Sequence, residues 1–249
     1  MSTSTFPDLL AARLRADGAR PLVTFYDDGT GERVELSVAT YANWVHKTAG
    51  LVQDELDVGH GGLVLVDLPT HWTGAVWLGA AWVGGQCVTT DRALAGRADL
   101  VVCGPTRVDE YAGLSVGRPV VAISLRPLGG RFVEPLPDGV TDYGAVVLAQ
   151  PDLFVPLDQV TPDDPAWRHG EESHTQVDML RAAAKEPLVE RDGRLLTDVN
   201  PCSGHGVHTL LSPVLQGAST VWVANPSEDG WTGRYDEERA TALLRATPS

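Results

Sequence analysis

Apolar and polar positions alternate along this chain in two different rhythms. Tyr41, Trp44, Val45, Thr48, Leu51, Val52 and Leu56 recur at the spacing that puts them on one helical face. Ser37 stands ahead of them as the N-cap. Further helices are expected over Phe6–Ala16, Trp72–Val83, Val207–Gln216 and Asp236–Arg245. Between them lie short, continuously apolar runs: Leu63–Val66, Gln86–Thr89, Asp99–Cys103, Pro119–Ile123, Leu195–Leu196 and Thr220–Ala224. Such runs mark strands buried on both faces. Leu22–Tyr26 and Arg33–Leu36 flank Asp27-Asp28-Gly29-Thr30-Gly31, a hairpin signal. Alternating strand and helix predicts an α/β fold, a mostly parallel β-sheet covered by helices on both faces.

Two stretches stand apart from this alternation. Residues 126–162 are rich in Pro, Gly and Asp and hold only a short helical candidate near Asp142–Gln150. They read as a surface excursion and as the place for a sub-domain seam within a single domain spanning 1–249. Ser173, with Gln176 three residues later, makes a capping box for a helix running to about Lys185.

Composition narrows the function classes. The net charge of −14, from 33 acidic and 19 basic residues, argues against nucleic acid or an anionic membrane as partner. Cys87, Cys103 and Cys202 are far apart and mostly within apolar runs, the pattern of buried thiols in a reducing compartment. The N-terminus lacks the basic and apolar regions of a signal peptide, and the most apolar run, 74–85, falls short of the roughly 20 residues that span a bilayer. A cytoplasmic protein is expected.

Asp163-Asp164-Pro165-Ala166-Trp167 resembles the lead-in to the phosphate loop of the adenylate-forming enzymes (acyl-CoA synthetases, luciferases, peptide-synthetase adenylation domains). There, Asp-x-Ala-x-x is followed by a Ser/Thr/Gly-rich run ending Pro-Lys-Gly. Leu63–Pro69 and Leu78–Gly85 are similar to the opening of such an enzyme, and Pro201 with Gly204–His208 and Leu211–Ala218 to a later block. More narrowly, Glu32–Ser37, Asn43-Trp44-Val45 and Pro69-Thr70-His71-Trp72 resemble a short, uncharacterised bacterial family related to the N-terminal part of these synthetases. The resemblance implies that family's N-terminal fold. It also implies a vestigial pocket at His71, Trp72, His205 and His208, and a degenerate phosphate-loop region at Asp163, Asp164, Ser173 and Thr175.

Where amides, hydroxyls and a lysine should wrap ATP, the chain offers Glu171-Glu172-Ser173-His174-Thr175-Gln176. Millimolar ATP affinity is worth about 4 kcal/mol, and each charge-assisted hydrogen bond roughly 1.5–3 kcal/mol, so losing three erases it. ATP and Mg²⁺ are therefore not expected to bind productively, and no catalytic residue is assigned. The resembled enzymes also carry a C-terminal domain with a catalytic lysine, which this chain, ending at Ser249, is expected to lack. The favoured reading is a non-catalytic binding or interaction module. The alternatives are altered chemistry or acyl or nucleotide binding on the same scaffold, and a half-enzyme completed by a partner chain.

Other constellations favour plain readings. His205 and His208 sit three apart without a third ligand nearby, so capping or a pocket wall is preferred to a metal site. Cys202-Ser203-Gly204 lacks the first glycine of a nucleophile elbow. Glycines 59, 61 and 62 precede a strand, whereas a dinucleotide-binding turn follows one. Asp27-Asp28, Asp163-Asp164 and Glu171-Glu172 read as surface charge. Trp72, Trp77 and Trp82 read as core in preference to an acyl pocket. A homodimer or a protein partner is expected to cover the strand edge of Thr220–Ala224, with Trp222 or Trp231 near the contact. The alternative is that Asp236–Arg245 folds back as a helical lid.

Overall fold

The computed structural model describes residues 5–227 and 230–247. In chain order its elements are α1 (Phe6–Asp17), β1 (Pro21–Asp27), β2 (Glu32–Ser37), α2 (Val38–Gly50), β3 (Leu63–Asp67), α3 (Trp72–Val83), β4 (Cys87–Thr89), β5 (Leu100–Cys103), α4 (Val108–Ala112) and β6 (Val120–Ala122). The second half adds β7 (Val140–Asp142), α5 (Tyr143–Val146), β8 (Pro165–His169), β9 (Glu172–Thr175), α6 (Gln176–Lys185), β10 (Arg194–Thr197), α7 (His208–Gln216), β11 (Ser219–Ala224), α8 (Gly230–Glu237) and β12 (Ala242–Leu244).

The strands build two sheets where the pattern predicts one, ordered β12-β10-β11-β1-β2 and β7-β6-β5-β3-β4-β8-β9. Both are parallel except for one antiparallel hairpin at an edge of each, β1/β2 and β8/β9. The continuous apolar runs follow from this layering, because each central strand feeds two cores. Val64 and Val66 of β3 join the core between the sheets, while Leu63 and Leu65 face the core under α4. In β11, Trp222 points inward, while Val221 and Val223 meet Trp231 of α8 on the far side.

Helix α3 lies in the middle layer, touching β1 of one sheet and β3 and β4 of the other. All twelve of its residues are buried. Hydrophobicity all round a helix is the signature of such a position. Trp82 donates its indole N–H to the Ala166 carbonyl at 2.9 Å, and Trp72 packs edge-on against Trp44. Gly79 lets α2 approach: a Cβ there would stand 2.9 Å from the Val45 side chain and against the Tyr41 hydroxyl, which is held by the Ala75 carbonyl.

Several expectations are corrected. Ser173 does not cap a helix but lies exposed on β9. Thr175 is the N-cap of α6, closing a capping box with Asp178. The stretch that the resemblance assigns to the phosphate loop is accordingly a β-hairpin followed by a helix. Asp236–Arg245 is not one helix: α8 stops at Glu237, Arg239 takes a positive φ of 50°, and β12 pairs in parallel with β10. No helical lid forms there. β11 lies between β10 and β1, so Thr220–Ala224 is no free edge, and Trp222 and Trp231 are buried. In the 126–162 excursion, Tyr143, Val147 and Phe154 join the main core.

Two stability outcomes follow. Gly79→Ala should cost about 1–3 kcal/mol through overpacking between α2 and α3, whereas Gly113→Ala, with open space around its Cβ, should be near neutral in urea titration. Thr175→Ala should cost about 1 kcal/mol for the lost cap, and Ser173→Ala should leave the urea midpoint unmoved.

Candidate functional site

Parallel strands put their carboxyl ends on one side of a sheet, and the crevice outside those ends is where α/β folds take ligands. Both sheets open here toward the loop after β3, and two half-open cavities meet at Pro69. The first, about 400 Å³, lies at the ends of β1 and β11, with Phe25, Asp27, His71, Asp198, Val223 and Asn225 among its walls. The second, about 610 Å³, lies at the ends of β3, β4, β5 and β8, beside Asp67, Arg92, Arg107, His169 and Asn200.

His71 is the N-cap of α3, and its Nδ1 takes the Thr73 backbone N–H at 3.3 Å and faces the Thr73 hydroxyl at 2.7 Å. Its Nε2 is buried without a hydrogen-bond partner. Burial pushes the imidazole down to about 3, against the opposing charge of Asp27. His71 is therefore neutral at physiological pH. The Asp27 carboxylate accepts from Gly29 N at 2.9 Å, Asn225 Nδ2 at 2.8 Å and Thr30 Oγ1 at 3.0 Å. Burial opposes its ionisation, yet the hydrogen bonds from Asn225, Gly29 and Thr30 hold it below the usual carboxylate range. Leu125 and Asn225, which both line this cavity, have positive φ values of 55° and 48°.

In the second cavity Asp67 ties the loops together. It accepts from Arg92 at 3.0 Å and from the Tyr111 hydroxyl at 2.8 Å, with Arg107 3.9 Å away. Cys202, on the wall, is a buried thiol pushed up by burial and by Asp67, so it is no nucleophile at neutral pH. Ser203 donates to the Asn200 carbonyl and accepts from Gly206 N, which makes it a turn residue.

The hairpin β8/β9 stands where the resemblance puts the phosphate loop. Its turn is only Gly170-Glu171. The Gly170 amide donates to Asp91 at 3.2 Å, and Glu171 reaches Arg97 at 2.9 Å and Arg168 at 3.3 Å. Asp164 closes the loop before β8 through Thr161 and pairs with His60 at 3.1 Å, while Asp163 is exposed. Asp28 is likewise no free surface charge, being paired with Arg234 at 2.6 Å.

The four vestigial-pocket residues are not brought together. His71 lines the first cavity, Trp72 is buried between Trp44 and His71, and His205 and His208 border a third cavity of about 420 Å³ beside Lys185 and Glu186. Among the described residues no group of three or more His, Cys, Asp or Glu could hold a metal ion. Residues that the sequence reading missed, Asp27, Asp67, Asp198 and Asn225, share one signal. Each is a polar residue at or just past the carboxyl end of a strand.

A protein of Mycobacterium tuberculosis described as a TIGR03089 family protein is 37% identical over 243 residues, covering 95% of this chain and 96% of its own. The chain belongs to the TIGR03089 family. No protein-family model matches it. Among solved structures it is similar to a Brucella canis acyl-CoA synthetase, with a TM-score of 0.79 and 17% identity, covering 97% of this chain and 47% of that one. The N-terminal domain of FACL13 from Mycobacterium tuberculosis gives 0.72 and 14%, covering 95% and 61%. This TIGR03089 chain thus has the fold of an acyl-CoA synthetase N-terminal domain while spanning about half the length of the Brucella protein. Among its described residues no helix is long and apolar enough to cross a membrane.

The burial of His71 makes stability depend on pH. Its folded-state value lies below the ordinary 6.5, so the unfolded chain binds the extra proton and stability falls as pH drops below about 6.5. Going from pH 7 to pH 5 should cost about 2 kcal/mol from this group. His71→Asn keeps an N-cap but does not titrate, and should flatten that slope in urea titrations across the range.

Proposed function

We propose that this TIGR03089 protein is a non-catalytic relative of the adenylate-forming enzymes, a cytoplasmic binding module that keeps their N-terminal scaffold without their reaction. The observation that carries this reading is the two-residue turn of the β8/β9 hairpin. A triphosphate needs several backbone amides and a cation converging on it. The turn has the amides of Gly170 and Glu171, and the first already serves Asp91. Glu171 and Glu172 add negative charge, while Arg97 and Arg168 are committed to Glu171. Lys185 lies ten residues beyond β9, at the far end of α6. The residues present do not fit ATP with Mg²⁺.

The cavities at the strand ends support retained binding. Their combined walls of strand termini, an orphaned imidazole and strained backbone suit a small molecule, and the net charge of −14 disfavours nucleic acid and anionic lipid.

Pyrophosphate exchange with Mg-ATP and a panel of fatty, aryl and amino acids should remain at background, and calorimetry should give no ATP binding tighter than millimolar. An acid-dependent exchange signal lost in Lys185→Ala would overturn the reading.

A further inference from the structure

The excursion of residues 126–162 carries a surface that the strand-end cavities do not explain. Among the described residues eight large apolar side chains are exposed, and six of them lie here: Leu128, Val133, Leu148, Leu153, Val155 and Leu157. The last three form a row. Leu153, Val155 and Leu157 are 74%, 70% and 82% exposed, while Phe154 between them is buried in the main core. Exposure thus alternates with the two-residue period of extended backbone, and at about 3.3 Å per residue the row runs roughly 13 Å. It is also held in shape. Gln53, from the helical turn after α2, accepts from Leu157 N at 3.0 Å and donates to the Val155 carbonyl at 3.5 Å, and Lys47 pairs with Asp152 at 2.8 Å. An apolar row that is both exposed and fixed in place is preorganised for a partner.

Charge defines the chemistry of that partner. Between Arg131 and Arg168 the chain has seven acidic residues and no Lys, Arg or His. Asp152 and Asp158 bracket the row. Lys47 neutralises the first. Asp158 and Asp54, whose carboxylate takes the Gln53 amide at 3.0 Å, enter no ion pair among the described residues. A second copy of this chain, itself at −14, and an anionic surface would both be repelled. Pro151 and Pro156 interrupt the backbone donors, which disfavours pairing with a partner strand. A helix fits better, because side chains four apart on one helical face stand about 6 Å from each other, close to the roughly 6.6 Å between alternate residues of the row.

We propose that this row docks a basic amphipathic helix of a partner protein. Apolar side chains at i, i+4 and i+8 of that helix lie on Leu153, Val155 and Leu157, and lysine or arginine beside the stripe faces Asp54 and Asp158. This deepens the binding-module reading and rests on it.

The test titrates the full chain by calorimetry with a synthetic peptide of about 14 residues, roughly four helical turns, whose leucines form one stripe flanked by lysines. One control peptide has the same composition in scrambled order, and another has glutamate for every lysine. The striped peptide should bind with one-to-one stoichiometry in the micromolar range and weaken as salt rises above about 0.1 M, and both controls should bind at least about tenfold more weakly. Leu153→Ser combined with Leu157→Ser should weaken the striped peptide at least about tenfold. Both side chains being exposed, the same double variant should leave the urea midpoint unmoved. Equal binding of the scrambled peptide, or unchanged binding by the double variant, would overturn the proposal. So would a dimer in light scattering, or binding to phosphatidylcholine vesicles, that the double variant loses, since the row would then serve a second copy or a bilayer. Acid-dependent pyrophosphate exchange with stripe-dependent binding intact would remove the non-catalytic reading and support this surface; background exchange without stripe-dependent binding would remove the surface alone.

Discussion

Burial of α3 on every side is the constraint on which the rest of the molecule depends. A helix with three tryptophans and no charged residue must be covered on all faces. One sheet covers half of it, so a second sheet and the flanking helices α1 and α2 close the remainder. Close approach demands small residues where elements cross, which places Gly79 under Tyr41 and Gly74 against Cys202. The helix also fixes the site, because its N-cap is His71. Anchoring Nδ1 at the first turn aligns the ring, and Phe25 at 4.8 Å edge-on holds it from the β1 side.

Much of this architecture is legible in the sequence because burial writes itself into composition. Val38–Gly50, Trp72–Val83 and the apolar strands β3, β5, β6 and β11 lie where periodicity puts them, within a few residues. The second sheet is not legible from strand patterns, since a run buried on both faces looks the same in one sheet or two. It was nevertheless implied by the all-round apolarity of α3. Strand β9 left no signal: Glu172–Thr175 is polar at every position and exists because the free edge of β8 pairs with it. Two capping patterns overlap at Ser173–Asp178, and strand length decides between them by consuming Ser173. Strand β12 is three residues long and follows helix-forming residues, and its parallel pairing with β10 is a tertiary effect.

The candidate site was legible only in pieces. Motif resemblance pointed to His71 but grouped it with His205 and His208, which the fold sends to a separate cavity between α6 and α7. In the sequence Asp27 reads as solvated charge, because an aspartate in a turn usually is. Its role follows from where β1 ends relative to β11 and the loop after β3, a three-dimensional coincidence that spacing along the chain does not encode. Charge balance across the loops is similarly distributed: Asp67 gathers Arg92 and Tyr111, residues 25 and 44 positions away.

The length of the β8/β9 turn has a consequence for how such a chain can change. Side-chain replacement alters charge, shape and donors at a fixed number of backbone positions, but it cannot create a new peptide N–H. Two turn residues offer two amides, and the strand register on either side, from Trp167 opposite His174 to His169 opposite Glu172, leaves no slack to recruit more. Wrapping a triphosphate at this turn would therefore require insertion of chain length, a rarer event than substitution. The hairpin thus fixes how many amides this turn can offer, whatever side chains it carries.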